Sequence, residues 1–437
     1  MIDILKEMIL DFQEGSPELD TGIPRNLELT QVPGKAAVCI GVRRSGKSTF
    51  MLQQIKKLLD SGVSSQNFLY LNFFDDRLHN LQHDKLSVIL EAYFSLYPEK
   101  KNSEKIYCFF DEIQVIPGWE PFVDRVMRTE NSEVYITGSS AQMLSTEIAT
   151  QMRGRALSWE LFPFSFNEFL EFKKLQVSGF LSTKKRLLAQ KAFAEYWQTG
   201  GFPEVAGLSR SLRIKIHQEY FNAMLFRDLI ERHDISHPRA VIDLAHRLVD
   251  NIASLYSINN LTGYLKSLGH KVPKSTVSNY LAWFEDAFFL FTVRIFDASL
   301  ARVNSNPKKI YCVDHAMVTS VSSSILVNDG HLLENLVFTA LRRITSDIFY
   351  YKSKGGREVD FIAQLADGSR LLVQVCETMA NQKTRKREII ALSEAMDELE
   401  VNSATIVTRA EDEQIKVDSG IIDVVPAYRF LLSLADY

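Results

Sequence analysis

The sequence predicts an α/β protein whose first domain is a parallel sheet with a phosphate-binding loop at the end of its first strand. Three observations support this fold class. The apolar run 36–40 breaks into a glycine-rich loop that is followed by an amphipathic helix. The apolar run 106–110 ends in two adjacent carboxylates, and the run 133–136 ends in hydroxyl groups. Because ligands of open α/β sheets gather at the carboxyl ends of the strands, these polar ends are expected to line one site.

The glycine-rich loop has the spacing G-x-x-x-x-G-K-[ST], with Gly41, Gly46, Lys47 and Ser48 at the specified positions. Glycine at the tight points allows backbone N–H groups to wrap a triphosphate. Lys47 supplies a mobile positive charge for the β- and γ-phosphates, and the Ser48 hydroxyl can bind Mg²⁺. A glycine-rich turn with an idle lysine is the structural alternative. The predicted nucleotide-binding residues are Gly41, Arg43, Arg44, Ser45, Gly46, Lys47, Ser48 and Thr49.

The strand predicted at 106–110 runs directly into Asp111 and Glu112. A phosphoryl-transfer site needs one carboxylate to hold the magnesium shell and another to orient the attacking water. We assign the first role to Asp111, which shares the metal with Ser48, and the second role to Glu112. The sequence therefore predicts that Glu112 and Lys47 act in catalysis.

Hydroxyls and arginines follow the fourth predicted strand. Ser139 and Ser140 can sense the γ-phosphate or position water, although polar strand ends are common without such a role. Arg153 and Arg155 flank a glycine and are candidates for an arginine finger, a group that raises phosphoryl-transfer rates about 10³- to 10⁵-fold. If the finger acts in trans, the site lies between subunits. Ordinary surface arginines are the alternative.

Six motifs occur in order along the chain, namely GVRRSGKSTF, FLYLNFFDDRL, CFFDEIQ, VYITGSS, RGRALSWELFPFSFNEF and GGFPE. Together they resemble the AAA+ ATPases, found mostly in bacteria and archaea, that carry a C-terminal domain of uncharacterised function. The resemblance covers essentially the whole chain. It implies a parallel sheet in the order 5-1-4-3-2 with helices on both faces, and ATP with Mg²⁺ as cofactors. It also implies a sensor at Ser139 or Ser140 and an interfacial arginine at Arg153 or Arg155.

Helical patterns dominate the segment after residue 162. Ser165, with Glu168 three residues later, predicts a capping box at the start of a helix. The sequence GGFPE interrupts the helical patterns and contains Pro203. By resemblance to the GxP motif of related switch ATPases, Pro203 would pack on the adenine ring. A helix-breaking corner between two lid helices is an equally weighted interpretation.

The segment 238–290 is typical of three helices, and the second and third have the outline of a helix-turn-helix. The strands predicted at 289–295 and 309–313 would form its wing. This pattern indicates a winged helix and a possible contact with DNA, although winged helices also dock proteins. The predicted DNA-contacting residues are Lys271, Lys274, Arg302 and Lys308.

The C-terminal segment resembles the core of PD-(D/E)xK nucleases, in which carboxylates bind Mg²⁺ and a lysine steadies the attacking hydroxide. Glu334 on a helix and Asp360 at a strand match that pattern. Gln374 stands in place of a glutamate and could still ligate a metal weakly, but Cys376 stands in place of the lysine. An inactivated nuclease fold used for binding is therefore favoured over an active one. The lysines considered as replacements are Lys354 and Lys383.

Length and composition bound the remaining choices. A chain of 437 residues exceeds one ordinary core and suggests about three domains. Apolar residues make up 46% and charged residues 24%, as in soluble globular proteins, and no apolar run approaches the ~20 residues of a membrane span. The net charge of −4 conceals a surplus of +5 over 206–310, from 14 Lys and Arg against 9 Asp and Glu. Four cysteines without CxxC spacing predict reduced core residues of a cytoplasmic protein; they are Cys39, Cys108, Cys312 and Cys376.

These patterns predict five segments. They are an N-terminal helix and arm at 1–30, an AAA+ nucleotide-binding core at 31–162, a helical lid at 163–237, a winged helix at 238–313, and a nuclease-like domain at 314–437. The predicted function is Mg-dependent ATP hydrolysis that drives domain motion, acting on or with nucleic acid. A nucleotide-gated signalling switch with slow turnover and an ATP-regulated metal-dependent nuclease are the alternatives. The expected partners are further copies of the chain, a hexamer being one option, and nucleic acid at the winged helix and C-terminal domain, but no membrane.

Overall fold

The computed structural model describes residues 1–79, 81, 85–139, 152, 154–177, 182–322 and 328–434. The chain divides into two compact units, an N-terminal unit of Met1–Phe162 and a C-terminal unit of Pro163–Tyr437.

The N-terminal unit is built on five parallel strands in the order β2-β3-β4-β1-β5. The strands are β1 Ala36–Ile40, β2 Phe68–Asn72, β3 Ile106–Asp111, β4 Ser132–Gly138 and β5 Ala156–Glu160. The helices are α1 Ile2–Gly15, α2 Lys47–Asp60, α3 Ser87–Leu96 and α4 Glu120–Thr129. Read from its other edge, the sheet has the order 5-1-4-3-2, so the predicted core fold is confirmed. Every residue of β1 is buried, as expected for a parallel strand covered on both faces.

Strand register brings the polar strand ends together at one edge of this sheet. Asn72 lies beside Asp111, and Ile40 lies beside Gly138 on one side and Glu160 on the other. Since all the strands run in the same direction, the residues that follow them emerge at the same edge. This alignment positions the site.

Helix α1 covers the outer strand β2. Its Gln13 amide donates a hydrogen bond of 2.8 Å to the carbonyl of Phe68, and the Tyr97 hydroxyl donates one of 2.6 Å to the Gln13 oxygen. The Phe12 ring stacks on Tyr70 with centroids 4.5 Å apart. The helix therefore satisfies part of a sheet edge that would otherwise expose unpaired backbone groups.

The C-terminal unit contains a mixed sheet of nine strands in the order β13-β14-β12-β11-β10-β9-β7-β8-β6. The strands are β6 Leu255–Tyr256, β7 Leu290–Ile295, β8 Lys308–Cys312, β9 Ile348–Lys352, β10 Glu358–Gln364, β11 Arg370–Val375, β12 Ser403–Thr408, β13 Glu413–Val417 and β14 Gly420–Pro426. Strand β7 pairs in parallel with β9. The predicted boundary between 238–313 and 314–437 therefore falls within one continuous sheet.

Helices surround this sheet and fill the segment before it. They are α5 Phe166–Phe172, α6 Thr183–Thr199, α7 Arg210–Ala223, α8 Pro238–Val249, α9 Ile258–Ser267, α10 Lys274–Asp286, α11 Leu300–Ser305, α12 His315–Val321, α13 Asp329–Arg342, α14 Gln382–Leu399 and α15 Ala427–Ser433. A π-helix, Met224–Glu231, follows α7 directly. The predicted capping box of Ser165 and Glu168 at the start of α5 is confirmed, since both reciprocal hydrogen bonds are present.

The cysteines are free thiols. Cys39, Cys108 and Cys312 are buried, and burial raises the pKa of Cys39 and of Cys312 to about 12. Cys376 is only partly buried because it lies one residue beyond the end of β11. Within the described part of the chain, the helices are too short or too polar to cross a membrane.

Candidate functional site

The phosphate loop connects β1 to α2 and depends on both of its motif glycines. A Cβ atom on Gly41 would lie 2.2 Å from the carbonyl oxygen of Leu161, which no substitution can accommodate without a backbone shift. Gly46 has φ 97°, a left-handed conformation that glycine adopts without strain. The loop is thereby folded back over the sheet edge, and α2 begins at Lys47 with its N-terminal N–H groups at the loop.

Lys47 is 4% exposed, and its ammonium group lies inside the loop. It donates hydrogen bonds of 3.2 Å to the carbonyl oxygens of Gly41 and Val42, and its nitrogen lies 3.7 Å from Oε1 of Glu112. These are long contacts for a charged donor, so a phosphate oxygen would be a stronger partner.

Asp111 is fully buried at the end of β3. Hydroxyl groups surround its carboxylate, with Thr137 donating to Oδ1, Tyr70 donating to Oδ2 at 3.2 Å, and Ser48 also forming a side-chain hydrogen bond. Burial raises the pKa of Asp111, while the hydrogen bonds from Thr137 and Ser48 oppose that shift. A divalent cation beside the carboxylate would offset the same desolvation cost.

Glu112 has φ 56°, a left-handed conformation that is uncommon for a residue with a side chain and that occurs often at functional sites. Its backbone N–H donates a 3.0 Å hydrogen bond to the Thr137 hydroxyl, and the Gln114 amide donates to its Oε2. Thr137 therefore fixes both adjacent acids, because one hydroxyl accepts from the Glu112 backbone and donates to Asp111.

Two buried hydroxyl groups at this edge have no hydrogen-bond partner in the described part of the chain. They belong to Ser45 in the loop and to Ser139, one residue beyond β4. Buried polar groups are normally paired, and each unpaired one calls for an explanation. Strands β1 and β4 are neighbours, so both hydroxyls lie at the edge of the sheet where the phosphate loop begins.

The other residues predicted for this site are distributed around it. Arg43 is half-buried with its guanidinium carbon 5.9 Å from the centre of the exposed Phe74 ring, and Arg44 is exposed. Thr49 lies half-buried in the first turn of α2. Arg155 lies just before β5, and its guanidinium donates a 3.0 Å hydrogen bond to Asp124 on α4. Ser140 and Arg153 lie outside the described residues.

Pro203 belongs to the C-terminal unit, where it begins a short 3₁₀ turn. The two glycines before it fit closely against Asp314. A Cβ on Gly200 would lie 2.4 Å from Asp314 Oδ1, and the Gly201 N–H donates a 2.7 Å hydrogen bond to Oδ2. The contact of Pro203 with the adenine ring stays a prediction.

Arg25 is a residue of this site that the sequence reasoning missed. Its guanidinium donates hydrogen bonds of 2.7 Å to the carbonyl of Ser45 and 2.5 Å to the carbonyl of Phe162. Gln53 on α2 holds the same arm, accepting from the Arg25 backbone at 3.3 Å. No motif includes Arg25, and only its position shortly before β1 could have suggested a contact with the loop.

The residues of the predicted nuclease-like site come together in the C-terminal unit, where Gln374 makes two hydrogen bonds. Its amide oxygen accepts a 3.1 Å hydrogen bond from the backbone of Asp360, and its NH₂ group donates to Glu388 at 2.9 Å. The Gln374 amide oxygen therefore already accepts one hydrogen bond, and its ligation of a metal stays a prediction. Glu334 and Asp360 share the ammonium group of Lys309, not of Lys354 or Lys383.

The family models match three stretches of the chain. An AAA domain matches residues 33–170, a domain of unknown function (DUF8612) matches 190–325, and a second one (DUF4143) matches 329–430. The AAA domain match, the parallel sheet and the phosphate loop define the class, which is a P-loop nucleotide-binding protein with an AAA+ core.

Two relatives match most of the chain. The uncharacterized protein MJ1544 of Methanocaldococcus jannaschii is 33% identical over 446 residues, covering 99% of this chain and 97% of that protein. An uncharacterized protein of Haemophilus influenzae is 32% identical over 344 residues, covering 77% of this chain and 81% of that protein. The chain belongs to the family of MJ1544.

Two solved structures share parts of the architecture. The Walker-type ATPase PABY2304 of Pyrococcus abyssi has a TM-score of 0.41 at 14% identity, covering 72% of this chain and 95% of that one. The Orc1 protein of Aeropyrum pernix, solved in complex with DNA, has a TM-score of 0.32 at 14% identity, covering 74% and 92%.

Arg25→Ala tests whether the arm supports the loop. Hydrogen bonds from a charged donor contribute about 1.5–3 kcal/mol each, and this donor is half-exposed, so we expect nucleotide affinity to fall about 10-fold. A fluorescent ATP analogue measures the affinity by titration. Lys56→Ala, which removes an exposed pairing with Asp60 on α2, is the control and should bind as the wild type does. Equal affinity in the Arg25 variant would remove the arm from the site.

Proposed function

We propose that the N-terminal unit binds ATP with Mg²⁺ and hydrolyses it. The observation that carries this proposal is the meeting of three charged groups at one sheet edge. The ammonium of Lys47 lies 3.7 Å from the carboxylate of Glu112, which is adjacent in sequence to the fully buried Asp111. A phosphate-binding cation, a metal-binding acid and a base are the parts that nucleotide hydrolysis requires.

In this proposal the loop residues from Gly41 to Thr49 bind the triphosphate, and Lys47 contacts the β- and γ-phosphates. Ser48 and Asp111 hold Mg²⁺, which supplies positive charge beside the transferred phosphoryl group. Ser139 donates its hydroxyl to the γ-phosphate, and Ser140 is the neighbouring candidate for that role. The hydroxyls of Ser45 and Ser139, which have no partner among the described residues, support this assignment because a nucleotide would satisfy both.

Glu112 acts as the general base through Oε1. Gln114 donates to Oε2 and so fixes the carboxylate, while Oε1 is directed at the ammonium of Lys47. When a phosphate engages Lys47, Oε1 becomes free to accept a proton from the attacking water. Binding of the nucleotide would thereby switch on the base that hydrolyses it.

Glu112→Gln tests the general base. The amide keeps the shape of the side chain but cannot accept the proton, so we expect ATP binding to persist while phosphate release slows about 10²- to 10⁴-fold. Phosphate release and analogue binding should be measured on the same samples. Lys47→Ala is the comparison variant, expected to lose binding itself. Unchanged turnover in the Glu112 variant would exclude this residue from the mechanism.

We further propose that the chain acts as a homo-oligomer, with a hexamer as one arrangement, in which Arg155 or Arg153 reaches a neighbour's nucleotide. Arg155 supports this through its position. It is 41% exposed and is held by Asp124, so it is oriented but can still reach outward.

A mixing experiment tests the trans arrangement. Arg155→Ala should lower ATP turnover about 10³-fold, since a finger is worth at least that much. Mixing it with inactive Lys47→Ala protein should restore turnover, because each Lys47 variant can donate its arginine to an intact loop on a neighbour. If the two proteins co-assemble and turnover stays low, the arginine does not act in trans. The same pair made with Arg153→Ala tests the other candidate.

Nucleic acid is the partner we propose for the winged-helix segment, 238–313. Its elements follow the order α8, β6, α9, α10, β7, α11, β8, and α9 with α10 would supply the helix-turn-helix of this proposal. Lys271, Lys274, Ser278 and Asn279 are exposed on or beside α10, the helix that would enter a groove. Arg302 on α11 is already paired with Asp297 at 2.9 Å. The exposed residues of α10 are therefore better placed to contact DNA than those of the predicted wing.

A salt titration with the double variant Lys271→Ala/Lys274→Ala tests this partner. Each lost phosphate contact should flatten the plot of log affinity against log salt by about 0.9, so the slope should fall by nearly 2 on duplex DNA. ATP turnover of the wild type should also rise when DNA is present. Lys184→Ala, an exposed change on α6, should leave the slope intact. If DNA leaves the turnover of the wild type unchanged and the double variant keeps the wild-type slope, the nucleotide-gated switch is favoured instead.

A further inference from the structure

A buried ion-pair cluster lies within the C-terminal unit. The ammonium nitrogen of Lys309, a β8 residue that is 3% exposed, lies 2.8 Å from Oδ1 of Asp360 and 2.9 Å from Oε1 of both Glu334 and Glu358. An ammonium group has three N–H donors, and three carboxylates are within reach of them. Strand β8, helix α13 and strand β10 therefore converge on one nitrogen atom.

Two oxygens of this cluster have further protein donors besides Lys309 or in its place. Oε1 of Glu334 also accepts a 2.7 Å hydrogen bond from the hydroxyl of Tyr311, and Oδ2 of Asp360 accepts one of 3.0 Å from the Val375 N–H. Among the described residues, no group of three or more His, Cys, Asp or Glu side chains is arranged to hold a metal ion. The geometry is that of a site whose cation is already present.

We propose that Lys309 is the resident cation of this acidic site, and that its ammonium group excludes a divalent ion that Glu334, Glu358 and Asp360 would otherwise bind. The acidic site of the nuclease-like domain therefore binds no divalent ion in the wild-type chain. Burial alone would lower the pKa of Lys309, but Asp360 and the other nearby groups raise it well above its usual value, so the lysine stays charged.

Electrostatics explains why removing the lysine should open the site. Glu334 and Asp360 are buried, whereas Glu358 is 30% exposed and its Oε2 lies 3.7 Å from the ammonium of Lys352. Removing Lys309 therefore takes from the two buried carboxylates the cation that lets both stay ionised. Carboxylate oxygens are the ligands that Mg²⁺ and Mn²⁺ prefer. A chain without the ammonium group must therefore take up protons or bind a divalent ion at the same place.

The lysine also joins two segments of the chain. Lys309 lies in the winged-helix segment, whereas its three partners lie beyond residue 313. Asn335 on α13 reinforces the same junction, because its side chain accepts from the Cys312 N–H at 2.6 Å and donates to the Cys312 carbonyl at 3.0 Å. The contacts of Lys309 and Asn335 therefore hold β8 against α13 and β10, so these elements should move together.

Mn²⁺ binding to the full chain tests the proposal. Electron paramagnetic resonance counts bound Mn²⁺ in the wild type, in Lys309→Ala, and in both with Asp360→Asn added. We expect the Asp360 change to remove no bound Mn²⁺ from the wild type but to remove one ion from the Lys309 variant. Lys416→Ala, a change at an exposed residue of β13, should behave as the wild type. Wild-type Mn²⁺ that disappears with Asp360→Asn, or a Lys309 variant that binds none there, would overturn the proposal.

Thermal unfolding keeps the test decisive if Lys309→Ala folds poorly. Breaking a buried ion pair from one side is strongly destabilising, so Lys309→Met should lower the Tm of the C-terminal unit by about 6 to 12 °C. Adding Asp360→Asn and Glu334→Gln to that variant, which removes two of the three opposing charges, should recover more than half of the loss. Mn²⁺ should raise the Tm of Lys309→Ala and leave the wild type unchanged. A Tm that does not fall in Lys309→Met would contradict the proposal that Lys309 neutralises this acidic site.

Discussion

The hydroxyl of Thr137 is the contact on which the proposed chemistry of the N-terminal unit depends. It donates to the buried carboxylate of Asp111 and accepts from the backbone N–H of Glu112, so two adjacent acids are oriented by one side chain from the neighbouring strand. Asp111 carries a desolvation cost at this position, and a divalent cation would offset it. The parallel register of β3 and β4 makes this contact possible, because it aligns the strand ends beside the loop that holds Lys47.

Much of the N-terminal unit could be predicted from the sequence because its signals are local. Strand β1, the loop and α2 follow one another within 25 residues, Ala36 to Asp60. The strand needs apolar residues, the loop needs glycine at its tight points, and the helix needs an amphipathic pattern. The resemblance to AAA+ ATPases supplied the sheet order, which is confirmed. It also directed attention to Ser139, whose hydroxyl is buried and has no partner in the part of the chain that the structure describes; its role as a sensor stays a prediction.

The contacts that escaped prediction join residues far apart in sequence. Arg25 supports the loop from an arm that has no motif, and Lys309 reaches Glu334 and Asp360 from a strand that was assigned to a different domain. The PD-(D/E)xK pattern expects its lysine two residues after its glutamate, and those two positions hold Cys376 and Gln374 in this chain. The parallel pairing of β7 with β9, which brings β8 into the same sheet, has no local signature. The hydrogen bonds of Gln374 were not predicted for a similar reason, since its partners, the backbone of Asp360 and the side chain of Glu388, lie far from it in sequence.

The central claim is that the buried acid and the loop lysine form one site for a nucleotide and its metal ion. Calorimetric titration of the purified chain with ATP, in the presence and absence of Mg²⁺, tests it most directly. The account predicts saturable ATP binding that Mg²⁺ strengthens, and an Asp111→Asn chain in which Mg²⁺ strengthens binding much less. ATP binding that is absent in magnesium buffer, or that gains as much from Mg²⁺ without the Asp111 carboxylate, would contradict it.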